Sequence, residues 1–251
     1  MTRIILSGCL GHMGHVITEC VRRRDDCEIV AGVDIGEGTA DYPVFKSFAD
    51  LTVDGDVIID FSHPSVLDGL LAYATAHKCA AVVATTGLSD EQIAKLKSAS
   101  QETPIFFSAN MSIGVNLVAE LAAKAARVLE GAFDIEIVEM HHNQKIDAPS
   151  GTALMLADTI SDALTEKPHY EFDRHSKRAK RDPHEIGIHA VRGGTIVGIH
   201  DVIFAGQDEV IEFKHTAYSK AVFAKGAVEA AKYLQDKGPG HYDMADVIAA
   251  K

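Results

Sequence analysis

Five short apolar segments alternate with helical segments over the first 110 residues. They are RIILSG, EIVAGVD, DVIIDFS, AAVVATTG and PIFFSAN, at residues 3–8, 28–34, 56–62, 80–87 and 104–110. Each is mainly apolar, whereas a half-exposed strand alternates apolar and polar side chains. Such strands, separated by helices, are typical of a parallel sheet covered on both faces. The front of the chain is therefore predicted to be a doubly wound, Rossmann-like α/β domain.

A glycine-rich turn, GCLGHMG, follows the first predicted strand. The dinucleotide fingerprint is G-x-G-x-x-G. Gly11 and Gly14 fit its last two glycines, but Cys9 stands where the first is expected and Gly8 precedes it. Asp34 ends the second strand, where an acid binds the adenosine ribose in this fold. A tight turn and a turn-forming aspartate are the alternative, but the strand–turn–helix context favours a nucleotide site.

The residue after Asp34 is Ile35, so no Arg or Lys follows the acid directly. A 2′-phosphate would meet the charge of Asp34 without a neighbouring base. The sequence therefore favours NADH over NADPH, with NADPH as a second nucleotide that the site accepts. His12 and the Arg22–Arg24 cluster would weaken this preference unless they only form a solvated helix face.

Two further strand ends are predicted to border the cofactor. Thr85-Thr86-Gly87 follows the fourth strand, and Ser108-Ala109-Asn110 follows the fifth. Ligands of doubly wound sheets bind at the carboxyl ends of the strands. Ordinary turn chemistry explains either segment equally well.

The second part of the chain has a different order of predicted helices and strands. A long amphipathic helix at 113–130, an alternating strand at 133–142 and a helix at 150–166 come first. Two segments broken at Gly193-Gly194 and at 206–208 then predict antiparallel hairpins. The resulting α+β domain is expected to contain an open mixed or antiparallel sheet. We expect a dinucleotide-binding domain at 1–111, completed by helices in 221–251, and a substrate-binding and oligomerisation domain at 112–220.

The segment HHNQKIDAPSGTA, residues 141–153, concentrates proton carriers beside a predicted helix start. A histidine transfers protons near neutral pH, and Lys145 supplies a positive charge. Ser150, Gly151 and Thr152 form a first helical turn, whose N–H and hydroxyl groups suit an anion. A capped helix after a solvent loop is the plain alternative. No metal site is expected, because adjacent strand residues His141 and His142 point to opposite faces.

Composition limits the classes of protein. The net charge is −12, which argues against general nucleic-acid binding. No apolar run reaches the length of a membrane span, and the N-terminal segment lacks a signal-peptide pattern. The four cysteines have no metal-ligand spacing, which fits free thiols in a reducing cytoplasm.

Several motifs together resemble the 4-hydroxy-tetrahydrodipicolinate reductase family, also called dihydrodipicolinate reductases. EMHHNQKIDAPSGTA is the most specific, and GCLGHMG, DFSHP, ATTGLS, SANMSIGVN, RGGTIVGIH and YDMADV occur in the family's order. The resemblance implies nicotinamide-dependent reduction of a cyclic dicarboxylate in lysine biosynthesis by a homotetramer.

The resemblance also implies residue roles. His141 is the expected proton donor and Lys145 the second catalytic group. His142 contacts substrate, and Gly151 and Thr152, with Ser150 before them, hold its carboxylate. The expected cofactor contacts are Gly8, Cys9, Leu10, Gly11, His12, Met13, Asp34, Ala84, Thr85, Thr86, Ser108, Ala109, Asn110 and Met111.

Two other classes of protein are alternatives to a reductase. An aldehyde-oxidising dehydrogenase needs a nucleophilic cysteine near the substrate domain, but all four cysteines precede residue 80. A non-catalytic nicotinamide-nucleotide sensor has no need of His141 and Lys145 beside an anion site. The chain departs from the family at Ile35, at Lys220 and at Ile199, where other residue types are frequent.

Overall fold

The computed structural model describes residues 1–108 and 110–251, which form two compact units. Unit 1 comprises Met1–Ile113 and Lys220–Lys251, and unit 2 comprises Gly114–Ser219. The chain thus leaves unit 1 once and returns to it. Within the described residues, no helix has both the length and the hydropathy that crossing a lipid bilayer requires.

The regular elements are named here in chain order. The strands are β1 (Thr2–Ser7), β2 (Cys27–Val33), β3 (Val44–Phe45), β4 (Val57–Asp60), β5 (Ala80–Val83), β6 (Pro104–Phe107), β7 (Asp134–His141), β8 (His169–Glu171), β9 (Glu185–Arg192), β10 (Gly198–Ala205), β11 (Val210–Ala217) and β12 (Gly240–Tyr242). The helices are α1 (His12–Arg22), α2 (Leu67–His77), α3 (Asp90–Ala99), α4 (Ile113–Leu129), α5 (Gly151–Ala163), α6 (Ala221–Leu234) and α7 (Met244–Ala249).

Unit 1 contains a parallel sheet in the order β12-β6-β5-β4-β1-β2-β3. Neighbouring Ile4 and Ile5 are both fully buried, yet Ile4 packs with Ile17 of α1, whereas Ile5 packs with Leu70 of α2. Both sheet faces are therefore covered, which explains why these strands are apolar throughout. The predicted doubly wound fold is confirmed. Strands β3 and β12 were not predicted, because two or three residues carry too little pattern.

Unit 2 contains a mixed sheet in the order β11-β10-β7-β9-β8. Strand β10 is antiparallel to β7 and β11, whereas β9 is parallel to β7 and β8. Side chains of α4 and α5, such as Ala122 and Leu156, pack against Ile137 and Val202 on one sheet face. The predicted α+β architecture with a mixed sheet is confirmed.

The predicted hairpin at Gly193-Gly194 is wrong. Strands β9 and β10 are not neighbours, because β7 lies between them. Strand β9 pairs with β7 in parallel from Ile186 to Arg192, so the glycine pair begins a connection across β7. The second predicted hairpin, through 206–208, is formed by β10 and β11, and Asp208 there has a φ of 64°.

Candidate active site

The glycine turn of unit 1 has two glycines that the chain itself requires. Gly8 has a φ of 76°, and a Cβ there would lie 2.5 Å from the carbonyl oxygen of Phe61. A Cβ at Gly14 would lie 2.4 Å from the carbonyl oxygens of Gly8 and Cys9. Gly11 differs, because it is the N-cap of α1, is exposed and supplies no side-chain cap. The first turn of α1 therefore suits a bound anion such as a pyrophosphate.

Asp34 is held at both oxygens by this turn region. Its Oδ2 accepts the Leu10 N–H at 2.9 Å, and its Oδ1 accepts the Gly36 N–H at 2.8 Å. Gly8, Gly11 and Asp34 line one cavity of about 770 Å³. The open glycine N-cap suits the pyrophosphate of an adenine dinucleotide, and the fixed carboxylate suits the hydroxyls of its adenosine ribose. Lys46, which sequence reasoning missed, lines the same cavity.

The remaining predicted residues of the turn differ in exposure. Cys9 is buried, and burial, reinforced by the charge of Asp34, raises its pKa to about 11. Leu10 and Met13 are half-buried against the core, and His12 is exposed. Any contact of Cys9 with a ligand would therefore be through its backbone.

After β5, the side chain of Thr85 hydrogen-bonds to other residues of unit 1. The Thr85 hydroxyl donates to Asp60 Oδ2 at 2.6 Å and accepts the Ser62 N–H at 3.1 Å. Burial raises the pKa of Asp60, although hydrogen bonds from neighbouring groups oppose the shift. Thr86 is exposed and Ala84 is half-buried, so these two are the more accessible residues of the predicted contact.

The end of β6 is held by its own side chains. The Ser108 hydroxyl donates to the Asn110 carbonyl at 2.9 Å, and Asn110 Oδ1 accepts the Ser112 N–H at 2.8 Å. Met111 is buried in the core of unit 1. Ala109 lies outside the described residues.

A buried carboxylate in unit 2 connects the predicted proton donor to the predicted anion site. Glu139 is fully buried, and its Oε2 lies 2.6 Å from His141 Nδ1. Arg192 donates to both carboxylate oxygens, at 2.7 and 2.8 Å. The Ser150 N–H donates to Oε1 at 3.0 Å. One carboxylate therefore fixes His141, Arg192 and the residue that begins α5.

These contacts determine which ring nitrogen of His141 remains available for proton transfer. Burial alone would raise the pKa of Glu139, but hydrogen bonds from Arg192, His141 and Ser150 outweigh this effect and lower the pKa. An ionised carboxylate accepts the proton on Nδ1, which leaves Nε2 as the second titrating atom. A Cβ at Gly198 would lie 3.2 Å from Nε2, so this glycine keeps the adjacent space clear. Burial lowers the pKa of His141, although Glu139 opposes the shift.

The start of α5 is capped and open at the same time. Ser150 is the buried N-cap, and its Oγ accepts the Ala153 N–H at 3.2 Å and lies 2.9 Å from His200 Nε2. Gly151 is exposed, and an added Cβ would meet no atom within 4 Å. Thr152 is half-buried beside it. The helix start therefore offers N–H groups next to open space.

Lys145 lies in the turn between β7 and α5. Its Nζ pairs with Asp147 at 2.8 Å, and this hydrogen bond lowers the pKa of Asp147. The Lys145 N–H donates to the His142 carbonyl at 3.2 Å. His142, beyond the end of β7, is half-buried. The turn places His141, His142 and Lys145 in one segment ahead of the helix start.

Other histidines of unit 2 are held in different surroundings. His200 is in edge contact with His141, with ring centroids 5.2 Å apart, and burial lowers its pKa to about 4. His215 faces His200 across β10 and β11, and burial lowers its pKa as well. His189 lies 2.8 Å from a Glu136 oxygen. Sequence reasoning missed Glu139, Arg192 and His200, although the alternation of Glu139 and His141 along β7 places both on one face.

Among the described residues, one cluster has metal-ligating residue types in suitable proximity. The ligand atoms of His169, Glu171 and Glu185 lie within 4.8 Å of one another. Lys177 pairs with Glu171, and Arg174 pairs with Glu185. These ion pairs supply positive charge to both carboxylates, so the cluster does not require a cation.

The chain matches two family models over nearly its whole length. Dihydrodipicolinate reductase, N-terminus, matches residues 2–111, and dihydrodipicolinate reductase, C-terminus, matches residues 114–248. Two relatives are both named 4-hydroxy-tetrahydrodipicolinate reductase. The protein from Caldanaerobacter subterraneus subsp. tengcongensis is 51% identical, with 99% of this chain and 98% of the relative covered. The protein from Clostridium botulinum is 49% identical, with the same coverage of both chains.

Solved structures agree with this result. The dipicolinate-bound dihydrodipicolinate reductase from Paenisporosarcina sp. TG-14 superposes with a TM-score of 0.79, at 25% identity and with 97% of each chain covered. An amine dehydrogenase from Mycobacterium smegmatis has a TM-score of 0.65 at 10% identity, with 96% of this chain and 94% of its own covered, and it shares the fold alone. From both family models and the sequence identities, the chain belongs to the dihydrodipicolinate reductase family.

Proposed function

We propose that the two units divide the family reaction between them. That reaction reduces the cyclic dicarboxylate 4-hydroxy-tetrahydrodipicolinate to tetrahydrodipicolinate in lysine and diaminopimelate biosynthesis. In this proposal unit 1 binds the nicotinamide nucleotide, and unit 2 binds the dicarboxylate and transfers the proton. The observation that carries it is the buried Glu139, which bonds both His141 and the N-cap Ser150.

The start of α5 is the proposed carboxylate site. The N–H groups of Gly151 and Thr152 and the Thr152 hydroxyl would bind one substrate carboxylate, and His142 would make a further contact. Support comes from the open space at Gly151 and from the positive end of the helix dipole. Lys145 would offset the negative charge of the substrate. Its present partner Asp147 is exposed, so solvent weakens this pair and exchanging Asp147 for substrate costs little.

His141 is the proposed proton donor. Hydride addition leaves an electron-rich enamine in the ring, and a carbon of that enamine must then be protonated. With Nδ1 bonded to Glu139, the transferable proton would be on Nε2, beside the space that Gly198 keeps clear. Glu139 and Arg192 would hold the ring in one orientation throughout.

The nicotinamide nucleotide, when bound, supplies the hydride. The residues proposed to hold it are Gly8, Cys9, Leu10, Gly11, His12, Met13, Asp34, Ala84, Thr85, Thr86, Ser108, Ala109, Asn110 and Met111. Asp34 would accept hydrogen bonds from the adenosine ribose hydroxyls. Because its charge repels a 2′-phosphate, we propose that NADH is used at least as well as NADPH.

The proposal includes a homotetramer assembled through unit 2. The sheet face not covered by α4 and α5 carries the half-buried apolar side chains of Val138, Met140, Ile199 and Ile203. Asp201 on the same face is buried, and its Oδ1 has no hydrogen-bond partner among the described residues. Another copy of the chain would cover these side chains. We also propose a cytoplasmic location, supported by four cysteines that are free thiols.

The direct test compares His141→Ala and Lys145→Ala in a coupled assay with the product of dihydrodipicolinate synthase. Each change should lower kcat by about 10²-fold or more, the usual scale for general acid–base groups. The double variant should lose less than the product of the two single losses, because both residues serve one proton-transfer step.

Nucleotide binding is the control for this test. NADH affinity, measured by calorimetry without substrate, should be unchanged, because both residues lie in unit 2 and the nucleotide cavity is lined by unit 1. Near-normal kcat in both single variants would mean that the 141–153 segment is structural. Loss of NADH binding would contradict the division of tasks between the units.

A further inference from the structure

A lysine 12 residues after Asp34 lies at the turn that carries this acid. Lys46 directly follows the short strand β3, which pairs with the end of β2. Its Nζ donates to the Gly36 carbonyl at 2.6 Å and to the Ile35 carbonyl at 3.3 Å. Both Lys46 and Asp34 line the cavity of about 770 Å³ in unit 1.

The charge of Lys46 is not neutralised within the described part of the chain. Its partners are two neutral carbonyl groups, and it belongs to no ion pair of residues 1–108 and 110–251. An ammonium group has three N–H donors, so two carbonyl bonds leave one donor for a ligand. Asp34 has both oxygens bonded to backbone N–H groups and is thereby fixed in place. The turn thus presents a fixed carboxylate and an ammonium to one cavity.

Two other basic residues of this region already pair with carboxylates. Arg22 pairs with Glu19 and Asp41, and Arg24 pairs with Asp26 and Glu229. The remaining candidates, His12 and Arg23, line a separate cavity on α1 and α6. Lys46 is therefore the strongest candidate cation for a phosphate beside Asp34.

We propose that Lys46 binds the 2′-phosphate of NADPH, and that the chain accepts both nicotinamide nucleotides through this one turn. With NADH, Asp34 accepts hydrogen bonds from the 2′- and 3′-hydroxyls. With NADPH, the ammonium of Lys46 offsets the repulsion between the 2′-phosphate and Asp34, in the way that a base directly after the acid would. This inference rests on the proposed nucleotide site in unit 1 and names the residue that sets its specificity.

The test uses two fragments that differ in the 2′-phosphate alone. Binding of adenosine 2′,5′-bisphosphate and of 5′-AMP is measured by calorimetry on the intact wild-type chain and on Lys46→Met. The affinity for the bisphosphate should fall about tenfold or more, the scale for losing a charged hydrogen bond. The affinity for 5′-AMP should change less than twofold. Lys46→Arg should retain bisphosphate binding, because it retains the charge.

Lys97→Met is the matched control, because Lys97 is an exposed lysine of α3 that does not line the cavity. It should bind both fragments like the wild type. Asp34→Ala should bind the bisphosphate at least as tightly as the wild type. Because the contact is electrostatic, raising the salt concentration should weaken wild-type binding of the bisphosphate more than that of 5′-AMP.

The outcomes distinguish a failure of the Lys46 inference from a failure of the proposed nucleotide site. Unchanged bisphosphate affinity in Lys46→Met, or an equal loss for both fragments, would overturn the role of Lys46 and leave the nucleotide site intact. If the wild type binds neither fragment, the nucleotide site itself is wrong, and the role of Lys46 is overturned with it.

Discussion

Gly151→Ala should raise the stability of the chain and lower its affinity for substrate. Gly151 is the first residue of α5 and is exposed, and an added Cβ would meet no atom within 4 Å. Its φ lies outside the left-handed region, so alanine fits the backbone without strain. Replacing glycine by alanine at such a position typically adds about 0.4–1 kcal/mol to the free energy of unfolding, since the unfolded chain loses freedom.

The same change, Gly151→Ala, should weaken the binding of substrate. The space that the methyl group would fill is the space proposed for a substrate carboxylate. Losing one hydrogen bond to a charged group costs about 1.5–3 kcal/mol. At 1.4 kcal/mol per tenfold, this corresponds to a loss of affinity of roughly 10- to 150-fold. A purely structural role of the helix start predicts no such loss.

The assay pairs urea denaturation with inhibition by pyridine-2,6-dicarboxylate, a flat dianion that should compete with substrate. Gly238→Ala is the matched control, because a Cβ there also meets no atom within 4 Å and the residue lies in unit 1. Thr152→Val should weaken inhibition by a similar amount. A stable Gly151→Ala variant with unchanged inhibition would refute the carboxylate site at α5.

Three other predictions follow from unit 2. In Glu139→Gln, the pKa of His141 should fall further, because Glu139 raises this pKa against the effect of burial. The decline of kcat with rising pH should then begin at lower pH. A lower kcat with an unchanged pH profile would indicate that Glu139 has only a structural role. Burial holds the pKa of His200 at about 4, below its usual 6.5, so its contribution to stability is complete above pH 6.5 and is lost as the pH falls towards 4. At about 1.4 kcal/mol per pKa unit, the difference between 6.5 and 4 corresponds to about 3.5 kcal/mol. His200→Asn should therefore reduce the pH dependence of the free energy of unfolding in urea, and the same pH dependence in variant and wild type would count against this account. Light scattering at micromolar concentration should give the mass of a tetramer, and a monomer would contradict the proposed assembly.

Local sequence patterns were sufficient for much of the fold. The apolar segments of β1, β2, β4, β5 and β6 identify strands buried on both faces, and the three-residue spacing of Ser89 and Gln92 indicates the capping box that begins α3. The order of the second sheet was not predictable in this way. Strand β7 lies between β9 and β10, and no local pattern records which strands are neighbours.

The site was predictable where its residues are consecutive. His141, Lys145 and Ser150–Thr152 lie in one motif, so their proximity follows from the sequence. Arg192 reaches Glu139 across 53 positions of sequence, because β9 pairs with β7 in parallel. Lys46 reaches the Asp34 turn through the two-residue strand β3. Contacts made by strand pairing at a distance leave no local signal in a single sequence.

The return of the chain to unit 1 has a consequence for its synthesis on the ribosome. Helix α6 contributes Ala224, Ala227, Val228 and Leu234 to the core that packs against β1, β4 and α1. These residues emerge after all of unit 2 has been translated. At about 5–20 residues per second, the first 113 residues wait for roughly 5–20 s without this part of their core. During that interval one face of the parallel sheet is incompletely covered. We therefore expect the nascent residues 1–113 to depend on chaperones more than unit 2, which is contiguous and whose core is complete before α6 emerges.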